Sequence, residues 1–125
     1  MSFKILLLEG IHKCAAEALE KSGFKVEVEG HSLQGEELIK RAQGFHALGI
    51  RSKTQLEKSV ISSLHDLKVI GAFCIGTNQI DLETSNISGV PVFNAPYSNT
   101  RSVAELIIAE LVALSRKLGD INNLA

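Results

Sequence analysis

Apolar and polar positions along the 125-residue chain switch repeatedly between two periods, and the switches mark out five strand–helix pairs. Lys4–Leu8 (KILLL) is a continuous apolar run closed by Glu9-Gly10, which predicts a strand buried on both faces. Ile11, Cys14, Ala15 and Leu19 then recur at helical spacing, and Gly23 ends the helix. FKVEVEG alternates apolar and charged residues, as an edge strand does. Ser32 stands where it would cap a second helix, with Leu33, Leu38, Ile39 and Ala42 inward and Gly44 behind it. HALGIRS, LKVIGAF and VPVFN read as strands three to five, with a short helix near Leu82–Ile87 before the last. Two capping boxes are predicted, Thr54-Gln55-Leu56-Glu57 before the third helix and Ser102-Val103-Ala104-Glu105 before the final one.

This order, with short loops, specifies an α/β fold: a doubly wound parallel sheet of the flavodoxin-like, five-stranded kind. The last helix, SVAELIIAELVALSRKL, carries apolar positions nearly all round. A helix of that sort wants partners on several sides, so another domain or subunit is expected against it.

Composition then narrows the function. Hydrophobic residues make up 45% and charged residues 22%, which suits one globular core. Thirteen basic against 14 acidic side chains give a formal net charge of -1, so no nucleic-acid partner is expected. A small anion remains open, because one or two arginines suffice for it. MSFKILLLEG reads as a first strand rather than a signal peptide, and no apolar run is long enough to span a bilayer. A cytoplasmic location without membrane partners is the expectation. Cys14 and Cys74 lie far apart without a CxxC and read as reduced, largely buried thiols. His12, His31, His46 and His65 have no ligand spacing, so no metal site is expected, and His46 and His65 lack a carboxylate partner in sequence. Neither G-x-G-x-x-G nor G-x-x-x-x-G-K-[ST] occurs.

In an open parallel sheet, ligands bind beyond the carboxyl ends of the strands. Those ends are Glu9-Gly10, Arg51-Ser52, Cys74 to Asn78, and Ala95 to Asn99, four loops expected around one crevice. Arg51 ends an apolar strand, where a guanidinium needs a reason: it either forks onto a carboxylate or phosphate, or pairs with Glu9 or Glu57. Ser52 is a further donor or a local cap, and Lys53 is the more solvated neighbour. Ile75-Gly76-Thr77 either presents successive amides to an anion or is a plain turn whose glycine takes positive φ. Asn99-Thr100-Arg101 precedes a capped helix, a place suited to anions, although taken without context Asn99 reads more readily as a turn former. Glu105 reads as a capping partner rather than a base. A phospho-acceptor module on the same fold would want an aspartate ending the third strand, where Arg51 stands.

IRSKTQL, GAFCIGTNQIDL and GVPVFNAPYSNTRSVAEL together resemble the N-terminal segment of the 3-phosphoglycerate-oxidising branch of the NAD-dependent D-2-hydroxyacid dehydrogenases. The resemblance runs from ILLLEGIH to the final helix. It implies that residues 1–99 are the N-terminal part of a substrate-binding domain and that 100–125 cross into an NAD-binding domain. It implies that Arg51, Ser52 and Asn99 contact the substrate, that the Ile75-Gly76 backbone holds its carboxylate, and that Ile75 also lies near the nicotinamide. Lys53 stands where an arginine is common in similar enzymes. The implied reaction converts 3-phospho-D-glycerate to 3-phosphohydroxypyruvate with NAD in serine biosynthesis, in a homo-oligomer. No catalytic residue is expected in this segment, and the chain alone is expected to be inactive. Another D-2-hydroxyacid dehydrogenase, or a non-catalytic ligand-binding or oligomerisation fragment, are the alternatives.

Overall fold

In the computed structural model, residues 2–97 and 100–116 are described. The chain divides into two compact units, Met1–Ala95 and Pro96–Ala125. In the first, five strands form one parallel sheet: β1 (Lys4–Leu7), β2 (Lys25–Val28), β3 (Ala47–Ile50), β4 (Val69–Ala72) and β5 (Val92–Asn94). Four helices alternate with them: α1 (Lys13–Lys21), α2 (Gly35–Ala42), α3 (Lys58–Ser63) and α4 (Leu82–Ile87). The order across the sheet is β2-β1-β3-β4-β5. The chain therefore reverses its winding direction between β1 and β3, and the carboxyl ends of those two strands flank the point of reversal.

The apolar run of β1 behaves as its position demands. Because successive strand residues point to opposite faces, Leu6 and Leu8 enter one core and Ile5 and Leu7 the other. The larger core adds Leu38, Leu48, Ile50, Leu56, Val60 and Ile70, and the smaller adds Ile11, Ala16 and Ala47. Deleting a buried leucine such as Leu6 costs about 2–5 kcal/mol, so the two cores hold the sheet centre rigid beneath the strand ends. Gly49 is the close-packing point on β3. A Cβ there would stand 2.4 Å from Leu7 Cδ2 and 3.0 Å from Phe73 Cε2. As its charged alternation predicts, β2 takes the sheet edge, beside β1.

Helix starts depart from expectation in three places. Thr54 does not cap α3, which begins at Lys58 after Glu57; the buried Thr54 instead donates its amide to Glu9. The segment between β3 and α3 also takes an extended bridge, Leu56 to Ile80, which delays the helix. The start of α2 likewise slips two residues past Ser32, with Gln34 at the cap position, because Leu33 is drawn into the core. In the second unit, α5 (Thr100–Ser115) already runs through Ser102, and Glu105 pairs with Arg101 at 2.8 Å rather than with a cap. Leu106, Ile107, Ile108, Leu111, Val112 and Leu114 of α5 are each at least half exposed.

Candidate functional site

The loop after β3 is built by side chains from three other elements. Glu9, just beyond β1, accepts the Arg51 amide at 2.6 Å and the Thr54 amide at 3.2 Å on Oε2, and the Lys53 amide at 2.8 Å on Oε1. Gln34 donates to the Lys53 carbonyl at 2.8 Å and accepts the Gln55 amide at 3.0 Å. Gln79, buried, donates to the Arg51 carbonyl at 2.9 Å. Partial burial works to raise the Glu9 pKa, but the backbone amides of Arg51, Lys53 and Thr54 outweigh it, so the carboxyl is held below its ordinary value. Glu9 thus spends its acceptor capacity on backbone. Among the described residues, no carboxylate pairs with the exposed Arg51 guanidinium, and the expected alternative of an ion pair to Glu9 or Glu57 is not what the structure holds.

The loop after β4 is braced through its carbonyls and not through the amides of Ile75 and Gly76. Its carbonyls are held: Asn94 Nδ2 donates to Ile75 O at 2.7 Å, and Gln79 Nε2 and Cys74 Sγ donate to Gly76 O at 3.3 and 3.2 Å. The amides of Ile75 and Gly76 make no hydrogen bond among the described residues, and both residues are exposed. Gly76 does not take positive φ, so the plain-turn explanation for this glycine fails. Gln79 binds both loops through one amide group, since its Nε2 meets the Arg51 and Gly76 carbonyls together. Sequence reading did not single out Gln79; its only signal is a polar residue directly before the buried Ile80.

Two cavities share Arg51. One, of about 360 Å³, is lined by Glu9, Gly30, His31, Ser32, Arg51, Ser52 and Lys53. The other, of about 560 Å³, is lined by Gly10, Ile11, His12, Cys14, Ala15, Arg51 and Phe73. Ser52 and Lys53 therefore stand with Arg51, while Ile75 and Gly76 line neither cavity and are joined to it through Gln79. Asn99 lies outside the described residues. Cys14 is exposed rather than buried, because it sits in the first turn of α1 facing the second cavity; Cys74 is half-buried. His12 caps α1 by accepting the Cys14 amide at 3.2 Å, and His46 accepts the Lys4 amide at 3.0 Å while stacking on Phe3. Among the described residues, no group of three His, Cys, Asp or Glu could hold a metal ion. No helix there is long and apolar enough to cross a membrane.

Comparison with known proteins gives this arrangement a family. The chain is 51% identical over 117 residues to D-3-phosphoglycerate dehydrogenase 1 of Saccharomyces cerevisiae, covering 94% of this chain and 25% of the yeast protein. It is 47% identical over 120 residues to D-3-phosphoglycerate dehydrogenase of Escherichia coli, covering 95% of this chain and 29% of that protein. The chain thus spans between a quarter and three-tenths of the length of these relatives. Among solved structures, the TT0316 protein of Thermus thermophilus matches with a TM-score of 0.85 at 28% identity, over 94% of this chain and 38% of that one. NAD+-bound 3-phosphoglycerate dehydrogenase of Entamoeba histolytica matches with a TM-score of 0.76 at 27% identity, over 90% and 39%. The family model of the D-isomer specific 2-hydroxyacid dehydrogenase catalytic domain covers residues 5–117, and the chain belongs to that family.

Proposed function

We propose that this chain is the N-terminal substrate-binding portion of an NAD-dependent dehydrogenase that oxidises 3-phospho-D-glycerate to 3-phosphohydroxypyruvate, a step of serine biosynthesis. The observation that supports the reading is the shared bond of Gln79, which ties the loop of the unpaired Arg51 guanidinium to the loop whose Ile75 and Gly76 amides are free. A substrate with an anionic group at each end needs two such subsites. Arg51 and Ser52 bind one end through a charged fork and a hydroxyl, and the Ile75 and Gly76 amides receive the carboxylate, with Asn99 as a further substrate contact. Closeness to D-3-phosphoglycerate dehydrogenases of yeast and Escherichia coli supports this choice of hydroxy acid.

The exposed side chain of Ile75 fits an apolar ring face at the same rim and is the residue of this chain that would meet the nicotinamide of NAD. When bound, that cofactor supplies the hydride acceptor. What this chain's own residues do is bind the two anionic ends, orient the substrate and keep its position fixed. We assign residues 1–99 to the substrate domain and 100–125 to the crossing toward a nucleotide domain. The exposed apolar residues of α5 support that assignment and a homo-oligomeric enzyme; a cytoplasmic location is part of the same proposal.

The test is a steady-state assay of the complete polypeptide with NAD+ and either 3-phosphoglycerate or D-lactate. A clear preference in kcat/KM for 3-phosphoglycerate is expected. Preference for the unphosphorylated acid would overturn the reading.

A further inference from the structure

We propose that Glu9 is the positioning residue of the substrate loop: from the end of β1 it gathers three amides beyond β3 and so aims Arg51 and Ser52 at the bound anion. The inference rests on the reading of Arg51 and Ser52 as substrate ligands.

The geometry behind it starts with the backbone of Glu9 itself. It takes φ 62°, a conformation that a residue bearing a Cβ rarely adopts, and Gly10 follows at the same φ. Two bonds hold that tip, from the Glu9 amide to the His31 carbonyl and from the Gly10 amide to the Glu29 carbonyl, both at 3.1 Å. The tip is thereby fixed against the chain that follows β2, while the Glu9 carboxylate reaches the end of β3. Left-handed backbone at a non-glycine residue persists only where its surroundings demand it. Here the demand is the three-amide contact.

Chemistry then singles out a carboxylate. Taking three amides requires an acceptor with two oxygens and several lone pairs, which an ionised glutamate offers and a glutamine does not. Oε2 receives Arg51 and Thr54, and Oε1 receives Lys53. The amides offset the negative charge, so an acidic residue can line an anion-accepting cavity without repelling what enters. Fixing the Arg51 amide on one side and its carbonyl, through Gln79, on the other leaves the guanidinium stem as the moving part. A pre-set loop gives up less freedom when the anion arrives, so loss of Glu9 should weaken substrate binding more than it slows the bound complex.

The experiment uses the complete enzyme with Glu9→Gln, Glu9→Asp, Arg51→Ala and the double variant Glu9→Gln/Arg51→Ala. For Glu9→Gln, KM for 3-phosphoglycerate should rise about tenfold, with kcat within about twofold and KM for NAD unchanged. On the Arg51→Ala background the same change should add less than about twofold, since both act through one group. Glu9→Asp keeps the charge but reaches less far, and should fall between the wild type and Glu9→Gln. If Arg51→Ala raises KM while Glu9→Gln leaves it at the wild-type value, or if the two effects multiply, Glu9 has no positioning role and the site stands. If Arg51→Ala itself leaves KM unchanged, the substrate site falls and the role of Glu9 with it. Should Glu9→Gln fail to fold, Glu9→Asp carries the test, and a wild-type KM for it overturns the proposal.

Discussion

The loop after β3 and the loop after β4 share one Gln79 amide and both have carbonyls held by side chains, yet they differ in what becomes of their amides. After β3 the amides of Arg51, Lys53, Thr54 and Gln55 are taken, three by Glu9 and one by Gln34, and the side chains of Arg51 and Ser52 stand free beside them. After β4 the carbonyls are consumed, by Asn94, Gln79 and Cys74, and what is left is backbone: the amides of Ile75 and Gly76. On the proposed reading, this difference gives two anion-accepting subsites on neighbouring loops. Satisfying donors on one loop lets a flexible cation extend from a rigid stem. Satisfying acceptors on the other turns its donors outward at fixed spacing, which suits a planar carboxylate.

The comparison breaks first at its shared support. Gln79→Ala removes the donor common to both loops; the Arg51 carbonyl loses it outright, the Gly76 carbonyl keeps Cys74 Sγ, and with the space left by a buried side chain a loss of about 3 kcal/mol in urea denaturation is expected. A change below about 0.5 kcal/mol, the range of ordinary surface substitutions, would mean that the loops hold themselves. Next in size is Arg51→Ala in the complete enzyme. Losing a charged hydrogen bond worth about 1.5–3 kcal/mol should raise KM for 3-phosphoglycerate by about tenfold to a hundredfold, and an unchanged KM removes the β3 subsite.

Gly76→Ala sharpens the contrast from the other loop. Its backbone is not left-handed, and the added Cβ would stand 3.1 Å from Asn78 Oδ1, the free end of a side chain that can swing away. Stability should therefore change by no more than about 0.5 kcal/mol, while KM rises several-fold because a methyl crowds an amide meant for close approach. A wild-type KM would count against the amide subsite.

The smallest expected effect is on acid stability. The Glu9 pKa in the folded state lies below that of the unfolded chain, so its contribution to stability is complete above the unfolded value and is lost as pH falls through the folded one. Glu9→Gln should flatten the acid limb of stability against pH in that window and leave the slope near neutrality unchanged. An acid limb identical to the wild type would show that the three amide bonds do not depend on the charge of Glu9.

What the sequence determined by itself was the fold. Period-two and helical patterns, with short glycine-marked loops, leave few topologies for a chain of this length, and the continuous run KILLL in the sheet interior is intelligible without coordinates. Arg51 and Gly76 were legible as candidates for the same reason, each interrupting an apolar strand where local structure has no need of it. Only the tertiary structure decided how they are supported. Glu9 and Arg51 are 42 residues apart, and Gln79 meets the Arg51 carbonyl across 28. The helix starts expected at Ser32 and Thr54 fail for a related reason: a local capping pattern is worth about 1 kcal/mol, and a non-local demand on the same segment outweighs it. Leu33 entering the core and Thr54 giving its amide to Glu9 are two such demands, visible only once distant segments meet.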